Sequence, residues 1–193
     1  WRMFLAVWGF KYDARIAENE EVLNIKEEGR KVLDRFVDGG AEILLSARFC
    51  EGWSEADCLC AEGIRFPMLR QEDGEKRSLC DFVPDSSRGF PAPFGMFAVC
   101  VRQTGAQGDD GYDGMMERAV RVTLAEAASA WLDAWLADRI HRPGIRIVKP
   151  AAGYASCPDH SLKRDILDRL PGGDRLGTRL TESYAMIPDA SIC

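Results

Sequence analysis

A loop of small residues between two apolar segments is the feature that most constrains this chain. The loop covers residues 149–160, and the apolar run 144–148 before it predicts a strand. Pro150 biases the preceding residues towards extended geometry, and Gly153 lets the backbone turn or approach a ligand without a Cβ. Apolar residues at helical spacing follow, namely Leu162, Ile166 and Leu170. This arrangement is typical of a ligand-binding loop, although an ordinary strand-to-helix connection has the same composition.

Composition limits the class of protein and its partners. The chain has 193 residues, of which 46% are hydrophobic, and this predicts one domain with a substantial core. Its net charge of −6 argues against nucleic acid or an anionic membrane as the main partner. The seven cysteines and two histidines show no zinc-ligand spacing, so we expect reduced, mostly buried thiols in a cytoplasmic protein. We expect neither a membrane-spanning segment nor a signal sequence.

Helical and strand patterns alternate along the chain. Amphipathic spacing predicts long helices over residues 14–37 and 112–140, while residues 1–10 predict an apolar packing segment. Strands are predicted at residues 41–50, 56–62, 64–70 and 94–101, and Pro67 would place the third of these at a sheet edge. The pattern predicts a single α+β domain in which long helices flank a central antiparallel or mixed twisted sheet.

Several motifs, taken in order, share one resemblance. They are Trp1 to Trp8, Arg48-Phe49, Glu55-Ala56-Asp57, Leu79-Cys80-Asp81-Phe82-Val83, Phe94-Gly95-Met96-Phe97-Ala98-Val99, Leu124-Ala125-Glu126-Ala127, the loop at 149–160, and Leu180-Thr181-Glu182-Ser183-Tyr184-Ala185-Met186. Together they resemble the activation domain of cobalamin-dependent methionine synthase over nearly the whole chain. The loop is similar to that family's Arg-x-x-x-Gly-Tyr segment, which binds S-adenosylmethionine.

The resemblance implies a role in reductive methylation. In that family, cob(II)alamin accepts an electron, usually from flavodoxin, and the resulting cob(I)alamin takes a methyl group from S-adenosylmethionine. The cobalamin would arrive on the cobalamin-binding module of methionine synthase, because this sequence has no corrinoid-binding Asp-x-His-x-x-Gly motif. Positioning two cofactors requires no general base or nucleophile, so it stays open whether the domain is itself an enzyme. The alternatives are a docking or regulatory module that binds S-adenosylmethionine without methyl transfer, and a remnant that keeps only the fold.

The resemblance also implies which residues meet the ligand. The candidates are Lys149, Ala151, Gly153, Tyr154, Glu126 and Arg146. Lys149 stands at the family's arginine position and would bind the ligand carboxylate as a point charge, unless the loop has gained residues and Arg146 takes this role. In a strand these two side chains would point to opposite faces, so only one could enter the site. Tyr154 would present its ring to the cationic end of the ligand, and Glu126 would balance positive charge or remain a solvated helix residue.

Other residues near these motifs are predicted to support the site. We expect Asp159-His160 to cap a helix and fix the loop, and Cys157 to be packed rather than nucleophilic. Glu182 and Ser183 are expected in a strand that braces the site. The resemblance further implies that the domain, residues 1–193, is incomplete at both ends, since an acidic ligand contact would precede Trp1 and an aromatic strand would follow Cys193.

Overall fold

Seven strands lie in the part of the chain that the structure, a computed structural model, describes, namely residues 1–11, 16–102, 111–140 and 147–193. They are β1 (Glu42–Glu55), β2 (Cys58–Ala61), β3 (Ile64–Pro67), β4 (Ala92–Arg102), β5 (Arg179–Leu180), β6 (Met186–Ile187) and β7 (Ser191–Ile192). Five of them form an antiparallel sheet in the order β3-β2-β1-β4-β7, and β5 pairs with β6. The predicted α+β class with an antiparallel sheet is confirmed, and Pro67 lies in an edge strand as expected.

The long strand β1 organises the sheet. It pairs with β4 from Glu42 opposite Arg102 to Gly52 opposite Ala92, and its last residues also pair with β2. Gly52 lies where both neighbours are present, and a Cβ there would be 2.8 Å from the carbonyl oxygen of Cys60. Only glycine permits this close approach of two backbones.

Helices cover the sheet and form a second apolar layer. They are α1 (Arg2–Val7), α2 (Glu20–Asp38), α3 (Tyr112–Ala137) and α4 (Leu162–Arg169). α1 packs on α2 where Gly29 leaves room, because a Cβ there would lie 2.5 Å from Cζ of Phe4. The first half of α3 completes this layer with Met116 and Val120. None of these helices, within the described ranges, is long and apolar enough to cross a membrane.

α3 connects the helical layer to the sheet. Its middle packs through Ala125 against Val99 and Val101 of β4, while α4 packs through Leu162 on the other main cluster of the sheet. The C-terminal half of α3 is thereby placed beside the sheet and the loop at 149–160. This arrangement positions the candidate site.

Several local predictions need correction. Ile147 and Val148 belong to no strand, because the next residue, Lys149, is bonded to α3 and the segment is attached to that helix instead of to a sheet edge. The rest of that predicted strand, residues 144–146, lies outside the described residues, as do 105–110 of the predicted loop. Residues 2–7 are helical. Glu182 and Ser183 lie in the turn between β5 and β6 rather than in a strand.

The ends of the long helices also differ from the predicted ones. α2 begins at Glu20, since Asn19 accepts a hydrogen bond from the Val22 amide at 3.2 Å and so caps the helix. α3 ends at Ala137, a few residues before the predicted end. Boundaries of this kind depend on capping contacts, which apolar spacing does not reveal.

Candidate functional site

Hydrogen bonds within the loop fix its backbone. The Gly153 amide donates to the Cys157 carbonyl at 2.7 Å, and the Cys157 amide donates to the Tyr154 carbonyl at 2.8 Å. The Ala152 amide reaches the Cys193 carbonyl at 3.3 Å, just beyond β7. The loop therefore has a defined shape that does not depend on a bound molecule, and such preorganisation reduces the cost of binding.

Gly153 and His160 are in direct contact at the centre of this loop. Gly153 has a φ of +104°, and a Cβ there would lie 2.6 Å from Nδ1 of the His160 ring. Glycine is required both by this backbone conformation and by the ring. Asp159 accepts from the Ser161 amide at 2.8 Å and from its hydroxyl at 2.6 Å. Asp159 and His160 thus fix the loop as expected, but the expectation that they cap the helix is wrong, because the N-cap of α4 is Ser161 and no side chain caps the first turn.

Tyr154 projects from the fixed loop into solvent. Its residue is 63% exposed, and its hydroxyl has no hydrogen-bond partner among the described residues. Ala151, two positions before Gly153, is half-buried and accepts from the Tyr154 amide at 3.0 Å. A large aromatic side chain held on a rigid loop offers contact area at low entropic cost.

Lys149 lies against α3 rather than in open solvent. Its Nζ donates to the Ser129 carbonyl at 2.7 Å and to the Ser129 hydroxyl at 2.8 Å. Asp133 Oδ1 lies 2.8 Å from the same nitrogen, close enough for an ion pair although not aligned for a hydrogen bond. The nitrogen is also 5.2 Å from the centroid of the Phe97 ring, and the side chain is 23% exposed. The charge predicted to meet a ligand carboxylate thus already has an internal carboxylate partner.

The sequence prediction missed both α3 partners of Lys149. Ser129 and Asp133 are four residues apart and therefore share one face of the helix, which was the signal available in the sequence. Glu126 is half-buried one turn before Ser129, on the same side of α3 by helical spacing. Arg146 lies outside the described residues. The structure therefore joins Lys149 to α3 at Ser129 and Asp133, shows no contact between Glu126 and Lys149 among the described residues, and provides no comparison of Lys149 with Arg146.

An apolar cavity of about 480 Å³ lies between the sheet, the C-terminal half of α3 and the loop. Its volume is within the range of small-molecule sites. Lys149 is the single charged side chain among the described residues that line it, and Pro150, Ala152 and Cys157 contribute the loop side. Much of the remaining wall is aromatic, with Phe49, Phe66, Phe82, Phe94 and Phe97.

The thiols near the loop are buried and unreactive. Burial raises the pKa of the Cys157 thiol, and the nearby Asp159 and Cys80 raise it further. Burial also raises the pKa of Cys193 to about 12. Such thiols stay protonated at neutral pH, so Cys157 is packed as expected rather than poised as a nucleophile. All seven cysteines are free, five are buried, and the described side chains form no metal-binding cluster.

The fold and site together define an α+β domain that carries a preorganised small-residue loop beside an apolar, small-molecule-sized cavity. A solved structure described as the crystal structure of the MetH reactivation domain bound to AdoHcy has the same fold, with a TM-score of 0.77 and 24% sequence identity. The match covers 100% of this chain and 71% of that chain. A sequence model of the family described as "Vitamin B12 dependent methionine synthase, activation domain" matches residues 1–193. The chain therefore belongs to the family of activation domains of vitamin B12-dependent methionine synthase.

Proposed function

We propose that this domain binds S-adenosylmethionine at the 149–154 loop and supports reductive methylation of cobalamin on the cobalamin-binding module of methionine synthase. The observation that carries the proposal is a loop whose backbone is fixed by its own hydrogen bonds while the Tyr154 ring remains exposed. Membership of the activation-domain family supports the reaction, and the related structure bound to AdoHcy supports the class of ligand. The seven free thiols suit a reducing compartment, so we propose that the domain works in the cytoplasm.

The charges of the ligand can be matched to residues of the site. S-adenosylmethionine carries a carboxylate, an ammonium and a sulfonium group. Lys149 meets the carboxylate, with Arg146 as the alternative cation, and the Tyr154 ring faces the positively charged sulfonium end. Glu126 balances positive charge from α3, and the backbone at Ala151 and Gly153 approaches the ligand closely. These contacts orient the methyl group away from the protein and towards the partner module.

Lys149 must exchange one partner for another when the ligand binds. An ammonium has three donors; two of those of Lys149 are bonded to Ser129, and Asp133 is its ion-pair partner. The ligand carboxylate replaces Asp133, because both are anions and Ser129 is neutral. Ser129 then keeps the ammonium in the cavity wall during the exchange.

The domain contributes position rather than acid–base chemistry. When its module is docked, cobalamin supplies reduced cobalt as the methyl acceptor, with the electron coming from flavodoxin or a similar reductant. The side chains of this chain bind S-adenosylmethionine, aim its methyl group and exclude water with the apolar cavity wall.

The proposal is tested by following methylcobalamin formation by absorbance. The assay contains the domain, a cobalamin-binding module in the cob(II)alamin state, a reductant and S-adenosylmethionine, and calorimetry measures ligand binding in parallel. We expect both binding and methylcobalamin formation. Binding without methyl transfer would identify a docking or regulatory module instead, and the absence of both would identify a remnant that keeps only the fold.

A further inference from the structure

Lys163 is a buried cation on α4 that has no carboxylate partner in the described ranges. The residue is 9% exposed. Its Nζ lies 2.8 Å from His160 Nδ1 and 3.1 Å from the Tyr184 carbonyl oxygen. A buried charge costs stability unless it is well paired, and two neutral acceptors compensate for only part of that cost. A buried ammonium with these two neutral acceptors therefore points to a role besides packing.

One of the two contacts fixes the His160 ring. An ammonium can only donate, so Nδ1 of His160 must accept, and the ring proton is placed on Nε2. The same ring lies directly against Gly153, where any Cβ would overlap it. Lys163 thus sets the tautomer and orientation of a ring that in turn supports the Gly153–Tyr154 step of the loop.

The other contact reaches the turn between β5 and β6. Tyr184 has a φ of +60°, a left-handed conformation that costs energy for a residue with a side chain. The turn is held by the Thr181 amide, which donates to the Ala185 carbonyl at 2.9 Å, and by the Ala185 amide, which donates to the Thr181 hydroxyl at 3.0 Å. The guanidinium of Arg164 lies 5.1 Å from the Tyr184 ring centroid. The carbonyl that Lys163 binds is therefore held in place independently of Lys163.

We propose that Lys163 and His160 are positioning residues, which hold the Gly153–Tyr154 step at a set position relative to the 181–185 turn so that the loop fits S-adenosylmethionine. Neither residue is among those that line the apolar cavity, so their effect on the ligand passes through Gly153. This inference rests on the proposed function of the loop.

The first test replaces Lys163 with methionine, which keeps the length of the side chain and removes its donors. Three quantities are measured: the ¹⁵N shifts of the His160 ring, hydrogen exchange of the Gly153 amide, and the Kd for S-adenosylmethionine. Lys163→Met should let both His160 tautomers appear, speed exchange of the Gly153 amide and raise the Kd about tenfold. The matched control is Lys31→Met on α2, since Lys31 is 68% exposed and far from the loop in sequence; it should change none of the three.

The second test uses His160, which is an exposed residue. Gly153→Ala should weaken binding strongly because the new Cβ meets the ring and because the φ of +104° is strained for alanine, while His160→Ala should weaken it about tenfold by removing support from the loop. In the double variant the overlap is absent, so the combined loss in affinity should be clearly smaller than the product of the two single losses. Independent effects, multiplying to the full product, would overturn the proposal.

The outcomes separate this inference from the proposed function. If the wild-type domain binds S-adenosylmethionine and both Lys163→Met and His160→Ala bind it equally well, the positioning role is wrong while the proposed function stands. If the wild-type domain binds no S-adenosylmethionine, the proposed function fails and the positioning role fails with it. If Lys163→Met does not fold, the His160 and Gly153 variants decide the question.

Discussion

Lys149 and Tyr154 differ in how much the fold has already engaged them. The Lys149 ammonium is paired with Asp133 and bonded to Ser129, whereas Tyr154 is 63% exposed. In the proposed complex, binding at Lys149 would therefore be an exchange between two carboxylates, and binding at Tyr154 would be a simple gain of contact. The two residues should respond differently to substitution.

Asp133→Asn should increase affinity for S-adenosylmethionine by about two- to fivefold, because it removes the anion that competes for Lys149, a contribution of the size of a partly exposed ion pair.

Lys149→Ala should lower affinity by about 1.5 to 3 kcal/mol, the range for a hydrogen bond to a charged group. Calorimetry measures both, with Arg146→Ala expected to have little effect. A large loss in Arg146→Ala and none in Lys149→Ala would assign the ligand carboxylate to Arg146.

Tyr154→Ala should weaken S-adenosylmethionine binding by about 0.5 to 2 kcal/mol, the size of a cation–π contact. The melting temperature should stay unchanged, since the ring is largely exposed and contributes little to the core. Calorimetry and thermal unfolding of the same preparation check the two statements together. Unchanged affinity with a lowered melting temperature would show that Tyr154 serves the fold instead.

At the scale of elements, α3 holds the molecule together. Its first half packs on α1 and α2, its middle packs on β4, and its last turns line the cavity. At its first residue, the Tyr112 hydroxyl donates a hydrogen bond to Glu28 of α2, and this bond raises the pKa of Tyr112 to about 12. The contact joins the first residue of α3 to α2, so a change in its strength would indicate a change in the packing of these two helices.

The Tyr112 contact should contribute stability that is lost in alkali. The folded-state pKa of about 12 lies above the ordinary tyrosine value of about 10. The contribution is therefore complete below pH 10 and disappears as the pH rises from 10 to 12, when the phenol can no longer donate. Melting temperatures of the wild type and Tyr112→Phe should differ modestly at pH 9, because the contact is half exposed, and should converge towards pH 12. A difference that is constant with pH would contradict this assignment.

At the scale of the whole molecule, the cavity of about 480 Å³ beside the loop has an almost entirely apolar wall. The proposed reaction brings together two large cofactors, S-adenosylmethionine and a corrinoid. We propose that the charged and aromatic groups near the loop match the first of these. The second is therefore expected to come with its own module.

The purified chain should not hold cobalamin by itself. The sequence has no Asp-x-His-x-x-Gly motif of the kind that holds a corrinoid. The absorbance spectrum after incubation with cobalamin and desalting should show no stoichiometric corrinoid, whereas a mixture with the cobalamin-binding module should retain it. A corrinoid that copurifies in equal amount with the isolated chain would show that the domain contains a corrinoid site.

The sequence by itself determined the α+β class, most of the long elements and the family. Local signals suffice for these: apolar spacing marks α2 and β4, Pro67 marks an edge strand, and ordered motifs such as the 149–160 loop identify the family. The tertiary structure alone decided that Lys149 pairs with Asp133, that the His160 ring lies on Gly153 and that Lys163 is buried between two loops. It also decided that Ile147 and Val148 belong to no strand, although the sequence predicted one there. The physical reason is that these features depend on contacts between elements that are distant in the chain. The spacing of residues in the sequence indicates only which face of a single helix or strand a side chain lies on.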